Sequence, residues 1–275
     1  MKEENKFDLT YIGGPTALIE LGGFRLLTDP TFDSPGQEYK TGPVTLHKLA
    51  GPASDTESLG RLDAVLLSHD HHFDNLDRAG RVLLPTAGRV FTTEDGAARL
   101  QGNAIGLANW QTAEISSASS RTLRITATPA RHGPAGADRG PVVGFVLAFA
   151  DSPERGVYVS GDSVWFEGVQ EVARRFEIYT VLLFMGAARV PEVGPHHLTM
   201  TAEEGIQVAH AFANATIVPL HFEGWAHFSE SRQTIASTFQ KAGLAARLRW
   251  PEQGKAIRLG EQRSAAAYSA SNRKS

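Results

Sequence analysis

The chain has 275 residues, enough to bury a sizeable core, and its 41% hydrophobic and 21% charged residues are ordinary for a globular protein. A formal net charge of -3 gives no electrostatic reason to expect a nucleic acid partner. Because the sequence has no cysteine, disulfides and thiolate ligands are excluded, and any metal must be held by histidine nitrogens and carboxylate oxygens.

Strand-like runs separated by glycine turns fill the first third of the chain. Alternating or continuous apolar patterns predict strands over residues 7–12, 17–21, 24–28 and 64–67, the last of them buried on both faces. Apolar residues that recur roughly on one face predict a helix over 76–84. Residues 31–60, rich in Pro, Gly and Ser, are expected to form part of the rim of a site.

The second half of the chain repeats this organisation. Strands are predicted over 123–128, 142–150, 157–160, 179–184 and 216–220, and helices over 233–242 and from near Thr201, where Thr201 and Glu204 form a capping box. No linker divides the chain, so we expect one domain over residues 1–262 and a flexible tail over 263–275.

No membrane or export signal is evident in the sequence. The charged start of the chain leads directly into a strand-like run without a cleavable signal pattern, and the longest apolar run, 142–150, is too short to span a bilayer. We therefore expect a cytoplasmic protein without a transmembrane segment. Whether it forms a homo-oligomer stays open.

A histidine-rich motif follows the strand predicted at 64–67. His69, His71 and His72 lie within four residues, and Asp74 follows them. Burying so many polar groups without a shared partner is costly. Because sites collect at strand ends in α/β folds, this cluster predicts a metal site.

Three further ligand-type residues occur in the same context, each after an apolar strand. They are His132, Asp162 and His221. Together with the motif they supply the nitrogens and the bridging carboxylate that two divalent ions require, with zinc as the leading candidate.

These residues resemble the metallo-β-lactamase superfamily, and the resemblance extends over nearly the whole chain. Residues 17–20 and 27–30 are similar to its opening hairpin, and 197–204 is similar to a segment of the branch of ascorbate-6-phosphate lactonases and N-acyl-phosphatidylethanolamine phospholipases D. The resemblance implies an α/β fold, a four-layer αβ/βα sandwich of two mixed sheets flanked by helices.

The motif departs from the superfamily pattern His-x-His-x-Asp-His. One residue is inserted between His69 and Asp74, so that His71 and His72 compete for the second ligand position, and Asn75 replaces the final histidine. Asn75 can weaken the second site, leave a single ion, or favour manganese.

The resemblance also implies roles for these residues. His69, either His71 or His72, and His132 would hold one ion, Asp162 would bridge, and Asp74 and His221 would complete the second site. Asp74 and His197 are the predicted catalytic side chains, His197 to protonate a leaving group or to bind an anion. Asp29 would orient a ligand histidine. The pocket is expected to be lined by His196, Phe222, Trp225 and His227.

The resulting prediction is a hydrolase that uses a metal-bound hydroxide on a small ester, lactone or phosphodiester. Two alternatives are an iron-dependent redox protein on the same fold and a catalytically silent metal-binding module.

Overall fold

A computed structural model describes residues 6–116 and 121–260 of the chain. Within these residues the strands, in chain order, are β1 (Lys6–Gly13), β2 (Thr16–Leu21), β3 (Phe24–Thr28), β4 (Glu38–Thr41), β5 (Val44–His47), β6 (Ala64–Leu66), β7 (Val90–Thr92), β8 (Ala104–Gly106), β9 (Thr112–Ser116), β10 (Thr122–Pro129), β11 (Val143–Phe149), β12 (Arg155–Val159), β13 (Glu177–Phe184), β14 (Thr216–Leu220) and β15 (Ala256–Gly260). The helices are α1 (Arg78–Leu83), α2 (Glu94–Leu100), α3 (Glu167–Arg175), α4 (Ala202–Ala211) and α5 (Arg232–Lys241). The predicted tail, 263–275, lies outside the described residues.

Two large mixed sheets make up most of the fold. The first has the order β15-β1-β2-β3-β6-β7-β8 and the second β14-β13-β12-β11-β10-β9, while β4 and β5 form a separate hairpin. In the first sheet β3, β6 and β7 run parallel, and in the second β12, β13 and β14 run parallel. Strand β10 has the same direction as β12, because each pairs antiparallel with β11.

The two sheets pack face to face over a shared apolar core. Leu26 and Leu66 of the first sheet lie in one buried cluster with Phe145, Leu182 and Val218 of the second. Neighbouring residues on the same strands point to the opposite face, as the two-residue period of a strand requires. Each sheet therefore has a second apolar face that needs a cover.

Helices provide that cover on both sides. Val65 and Leu67 on the outer face of the first sheet pack in a cluster with Leu83 of α1. On the outer face of the second sheet, α3, α4 and α5 contribute to a cluster whose buried members include Val172, Val208 and Phe239. The predicted four-layer αβ/βα arrangement is confirmed.

Most of the predicted elements are present, with shifted ends. The helix predicted over 76–84 begins only at Arg78, because the Asp77 side chain caps it by accepting from the Gly80 amide. The capping box of Thr201 and Glu204 at the start of α4 is confirmed. No helix among the described residues combines the length and the apolar character that a bilayer crossing requires.

The parallel strands determine where the polar loops meet. Loops that carry the predicted site residues leave the carboxyl ends of β3, β6, β10, β12 and β14. Carboxyl ends of parallel strands lie at one edge of a sheet, which is where α/β folds build their sites.

Candidate metal centre

Arg99 anchors the first turn of the histidine motif. The Arg99 guanidinium donates two hydrogen bonds to the Asp70 carboxylate, at 2.9 and 2.6 Å, and Arg81 donates to the Asp70 carbonyl at 2.8 Å. Burial alone would raise the pKa of Asp70, but the Arg99 guanidinium outweighs burial and holds that pKa well below its ordinary value. Asp70 is thus an ionised anchor of the loop.

Asp77, at the end of the motif, also serves the scaffold. Its carboxylate accepts hydrogen bonds at 2.7–2.9 Å from four groups, the amides of Phe32, Asp33 and Gly80 and the buried ammonium of Lys48. This carboxylate joins the chain after β3 and the β4–β5 hairpin to the start of α1, and so fixes the loop that carries the histidines.

The two competing histidines differ in which neighbours they face. His72 Nδ1 lies 2.9 Å from His69 Nε2 and 3.2 Å from His132 Nε2. His71 is also close enough to His69 and His72 to share an ion with them, and its Nε2 donates to the Arg139 carbonyl at 2.8 Å, which leaves the lone pair on Nδ1. His69, His72 and His132, whose nitrogens converge, are called the nitrogen group below.

Hydrogen bonds on the side of the rings that faces away from the centre determine which ring nitrogens of the nitrogen group carry no proton. His132 Nδ1 lies 2.9 Å from the Leu198 carbonyl, which can only accept, so Nδ1 carries the proton. The Ser68 hydroxyl donates to Asp29 at 2.5 Å and accepts from His69 Nδ1 at 2.9 Å. In both rings Nε2 therefore presents a lone pair to the centre, as a metal ligand must.

Burial keeps the imidazoles of His69 and His72 neutral. Desolvation, helped by the neighbouring His72 and His71, lowers the pKa of His69 well below its ordinary value. Desolvation and His132 lower the pKa of His72 to about 3. Neutral imidazoles are the form that coordinates a metal.

A second set of ligand-type side chains lies beside the first. His221 Nδ1 is 2.8 Å from Asp162 Oδ1, and His221 Nε2 is 3.5 Å from Asp74 Oδ2. Asp162 Oδ2 is also 3.5 Å from His132 Nε2, so that this carboxylate contacts both sets. Asp74, Asp162 and His221 are called the acidic group below.

Several buried polar atoms here have no hydrogen bond. Among the described residues, the carboxylate oxygens of Asp162 and the ring nitrogens of His221 have no partner in hydrogen-bond geometry, although both side chains are fully buried and lie 2.8 Å apart. Burial opposes a charged imidazole, but Asp162 and Asp74 outweigh it and raise the pKa of His221 to about 10. Such orphaned atoms are costly unless an ion satisfies them.

The donor set fits divalent metal ions. His69, His132 and Asp162 can direct one ligand atom each to a common point, and so can Asp74, Asp162 and His221, with these atoms within 4.8 Å of one another. Nitrogens on one tetrahedral zinc at about 2.0 Å lie roughly 3.3 Å apart, close to the spacings in the nitrogen group.

Strained backbone surrounds the centre. His221 and Asp29 adopt positive φ angles of 53° and 24°, which non-glycine residues rarely do outside functional sites. Gly161, directly before Asp162, has a φ of 59°, and a Cβ there would lie 2.7 Å from the Val143 carbonyl. Burial raises the pKa of Asp29 to about 8, against the effect of its hydrogen bonds from Ser68.

His197 lies apart from both groups. Its Nε2 is 3.1 Å from the Glu204 carboxylate, which also accepts from the Thr201 and Trp165 amides. Burial would raise the pKa of Glu204, but the hydrogen bond from His197 helps to lower it. The catalytic role of His197 stays a prediction, and its ion-pair partner, Glu204, belongs to neither the nitrogen group nor the acidic group.

A cavity of about 210 Å³ opens onto the centre. Among the described residues it is lined by the site residues His72, Asp74, His132 and His227, by the polar Thr41 and Arg139, and by the apolar Pro43, Val44, Leu46, Phe73, Ala188, Val190, Val193 and Leu198. The β4–β5 hairpin supplies part of this wall, as the predicted rim at 31–60 requires. Of the four residues expected in the pocket, His227 lines this cavity, whereas Trp225 lines a neighbouring one.

Two mixed sheets with helices outside, and a buried His and Asp cluster at the strand ends, define the architecture of a metallo-hydrolase. The family model described as "Beta-lactamase superfamily domain" matches residues 24–222 of the chain. The chain belongs to the β-lactamase superfamily.

Individual relatives agree with this membership. The UPF0173 protein YddR of Bacillus subtilis is 24% identical over 255 residues, which cover 90% of this chain and 98% of YddR. A UPF0173 metal-dependent hydrolase of Caldivirga maquilingensis is 26% identical over 219 residues, 78% of this chain and 81% of the relative. The crystal structure of an isothiocyanate hydrolase from Delia radicum gut bacteria has a TM-score of 0.77 at 24% identity, and covers 92% of this chain and 99% of that one.

The assignment made from the sequence, a metallo-hydrolase of the metallo-β-lactamase superfamily that uses a divalent metal, is confirmed. The narrower branch stays a prediction. Sequence reasoning placed His227 in the pocket but missed its contact with the acidic group, and it missed Ser68 and Arg99. A role for Ser68 could have been predicted, because its hydroxyl directly precedes His69 and can contact Asp29, which follows β3.

Proposed function

We propose that the protein hydrolyses a small ester, lactone or phosphodiester with the help of two divalent ions, zinc in the first instance. The observation that carries the proposal is the convergence of two ligand groups on the shared carboxylate of Asp162, which lies 2.8 Å from His221 and 3.5 Å from His132. A shared carboxylate between two sets of donors is what a pair of neighbouring ions requires.

Each group has a separate part in this proposal. His69, His72 and His132 hold the first ion, Asp162 is shared, and Asp74 and His221 hold the second. His72 is the proposed ligand in preference to His71, because Nδ1 of His72 faces both His69 and His132 and because His72 lines the cavity. Asp74 has the best access to substrate within the acidic group, since it lines the cavity.

Divalent ions held in this way supply a nucleophile at neutral pH, because they lower the pKa of bound water from about 15.7 to about 7. The protein supplies orientation. Ser68 and Leu198 fix the rings of His69 and His132 from behind, and the burial of both rings restricts the access of bulk water to the centre.

The cavity supports a small substrate with an apolar part. At about 210 Å³ it is smaller than typical ligand pockets of roughly 300–1,000 Å³. Its wall is largely aliphatic, from residues such as Val44 and Leu198. Among the described residues that line it, Arg139 is the one arginine and there is no lysine. A short acyl group or a small ring fits such a wall, and Arg139 can meet a carbonyl, carboxylate or phosphoryl oxygen.

The paired variants His72→Ala and His71→Ala test this proposal. The purified proteins are compared for bound metal by mass spectrometry and for turnover of aryl esters, small lactones and bis(p-nitrophenyl) phosphate. We expect His72→Ala to lose an ion and about 1,000-fold or more in kcat/KM, since metal stabilisation is worth several kcal/mol. His71→Ala should keep its metal and most of its activity.

The two other predicted functions give different results. Stoichiometric iron without turnover of any of the three substrate classes would favour the redox protein. Bound metal without any turnover, in wild type and variants alike, would favour a silent metal-binding module. A loss of metal in His71→Ala but not in His72→Ala would reverse the ligand assignment.

A further inference from the structure

We propose that His227, from the loop after β14, is a ligand of the second ion and replaces the histidine that the superfamily motif has at the position of Asn75. This inference rests on the proposed function, because it assumes that a second ion binds at the acidic group. It adds a ligand from a distant part of the chain to a site whose motif is incomplete.

The contacts of Asn75 direct its amide toward the scaffold. Its Nδ2 lies 3.5 Å from Asp29 Oδ1 and 3.4 Å from Ser68 Oγ, the pair that supports His69 from behind. Asn75 is fully buried, and its amide nitrogen has no lone pair to offer a cation. Its Oδ1 has no hydrogen-bond partner among the described residues, but a neutral amide oxygen is a poorer ligand for zinc than an imidazole. The residue therefore contributes to the support of the nitrogen group, and the acidic group lacks the imidazole that the motif would bring.

His227 lies where that imidazole is missing. His227 Nε2 is 3.0 Å from Asp74 Oδ2, closer than His221 Nε2, which is 3.5 Å from the same oxygen. Among the described residues, Nδ1 of His227 is buried without a hydrogen-bond partner. No neighbour therefore fixes the proton of this ring, and with the proton on Nδ1 the lone pair of Nε2 is directed toward Asp74.

The loop holds this imidazole firmly. On one side the Ala226 amide donates to the His47 carbonyl at 3.1 Å, and the His227 carbonyl accepts from the Arg189 amide at 2.8 Å. On the other side the Phe228 ring contacts both imidazoles, with centroids 4.6 Å from His227 and 4.9 Å from His221. Phe228 therefore restricts the orientation of both rings, and each ring has its Nε2 directed toward Asp74 Oδ2.

A simpler role for His227 would be to orient the Asp74 carboxylate through a hydrogen bond. A glutamine at position 227 can take over the orienting role but not the role of a metal ligand. The side-chain amide introduced by His227→Gln keeps a hydrogen-bond donor near Asp74 but has no imidazole lone pair, so it can orient the carboxylate but is a poor ligand for zinc. The variants His227→Ala and His227→Gln therefore separate the roles.

The experiment measures bound metal and ligand field rather than activity. Wild type, His227→Ala, His227→Gln and Asn75→Ala are loaded with Zn²⁺ or Co²⁺, dialysed and analysed for metal content, and the visible absorption of the Co²⁺ forms is recorded. His210→Ala is the control, because His210 is exposed on α4. Unfolding midpoints of the metal-free proteins show that each variant is folded.

We expect about two ions per chain in wild type, Asn75→Ala and His210→Ala, and about one in both His227 variants. Removal of a residue that only hydrogen-bonds to a ligand lowers metal affinity about 10- to 100-fold, and removal of a ligand itself should lower it further. The Co²⁺ spectrum of the second ion should disappear or change in both His227 variants.

Other results overturn the inference. Two ions and an unchanged Co²⁺ spectrum in His227→Ala would exclude His227 as a ligand, and a normal His227→Gln beside a defective His227→Ala would assign it to positioning. One ion in wild type would remove the second site altogether and leave the first intact. No ion in wild type would instead contradict the proposed function itself. If His227→Ala does not fold, His227→Gln alone decides between these outcomes.

Discussion

The nitrogen group and the acidic group of the candidate centre are supported in different ways. In the nitrogen group, His69 and His132 are each held by a hydrogen bond from the ring nitrogen that faces away from the centre. In the acidic group, the oxygens of Asp162 and the nitrogens of His221 have no such partner among the described residues. The first group is thus preorganised by the protein, whereas the second depends on an ion to satisfy its buried atoms.

The departure from the superfamily motif lies between these two groups. Asn75 contacts the supports of the nitrogen group, and the acidic group recruits an imidazole from another loop under our inference. Three variants test this difference. The first acts on both groups, the second on the nitrogen group alone, and the third on the loop that carries the histidines.

Asp162→Ala should have the largest effect, because Asp162 contacts both groups. We expect the loss of both ions to be coupled, and kcat/KM to fall by about 1,000-fold or more, since metal stabilisation is worth several kcal/mol. Metal content and turnover measured together check this. Retention of about one tightly held ion would show that the nitrogen group binds without the shared carboxylate.

Ser68→Ala should act on the nitrogen group alone. Removal of the hydroxyl deletes the link between Asp29 and His69 Nδ1, so we expect metal affinity at the first site to fall about 10- to 100-fold. Competition with a metal chelator measures this affinity. Ser58→Ala, on the exposed surface, is the matched control and should have no effect. Equal weakening at both sites would show that the two groups are not independently supported.

Arg99→Ala should have the smallest effect, on stability rather than on ligands. Loss of the two hydrogen bonds to Asp70 should cost about 1–2 kcal/mol in the free energy of unfolding in urea. Because the folded-state pKa of Asp70 is depressed, this contribution is complete above the unfolded pKa of about 3.9 and is lost as the pH falls further. A difference between wild type and variant that stays constant from pH 6 to pH 3 would contradict this account. Arg174→Ala, which removes an exposed helix pair with Glu171, is the control.

The sequence predicted much of this molecule from local patterns. Alternation identified strands such as β1 and β10, the capping box located the start of α4, and the strand-end positions of His132, Asp162 and His221 identified the region of the site. Short or partly exposed strands such as β8 and β9 were missed, because their few residues carry no clear alternation and their pairing partners provide the stabilisation.

Spacing alone could not decide between His71 and His72, since counting forward from His69 and counting backward from Asp74 give different answers. Our proposal of His72 depends on its contact with His132, which lies 60 residues away in the chain. The contact of His227 with Asp74 is equally remote from any local pattern.

What the sequence by itself determined about this protein is therefore its superfamily, its layered α/β fold and the residue types of its site, because these follow from hydrophobic periodicity and from motifs a few residues long. Which histidines face the centre, which aspartates are anchors rather than ligand candidates, and which loop contacts Asp74 were decided only by the tertiary structure. The physical reason is that a ligand's role depends on where its lone pairs point and on which partner already binds them. Those partners come from strands that meet only when the two sheets pack together.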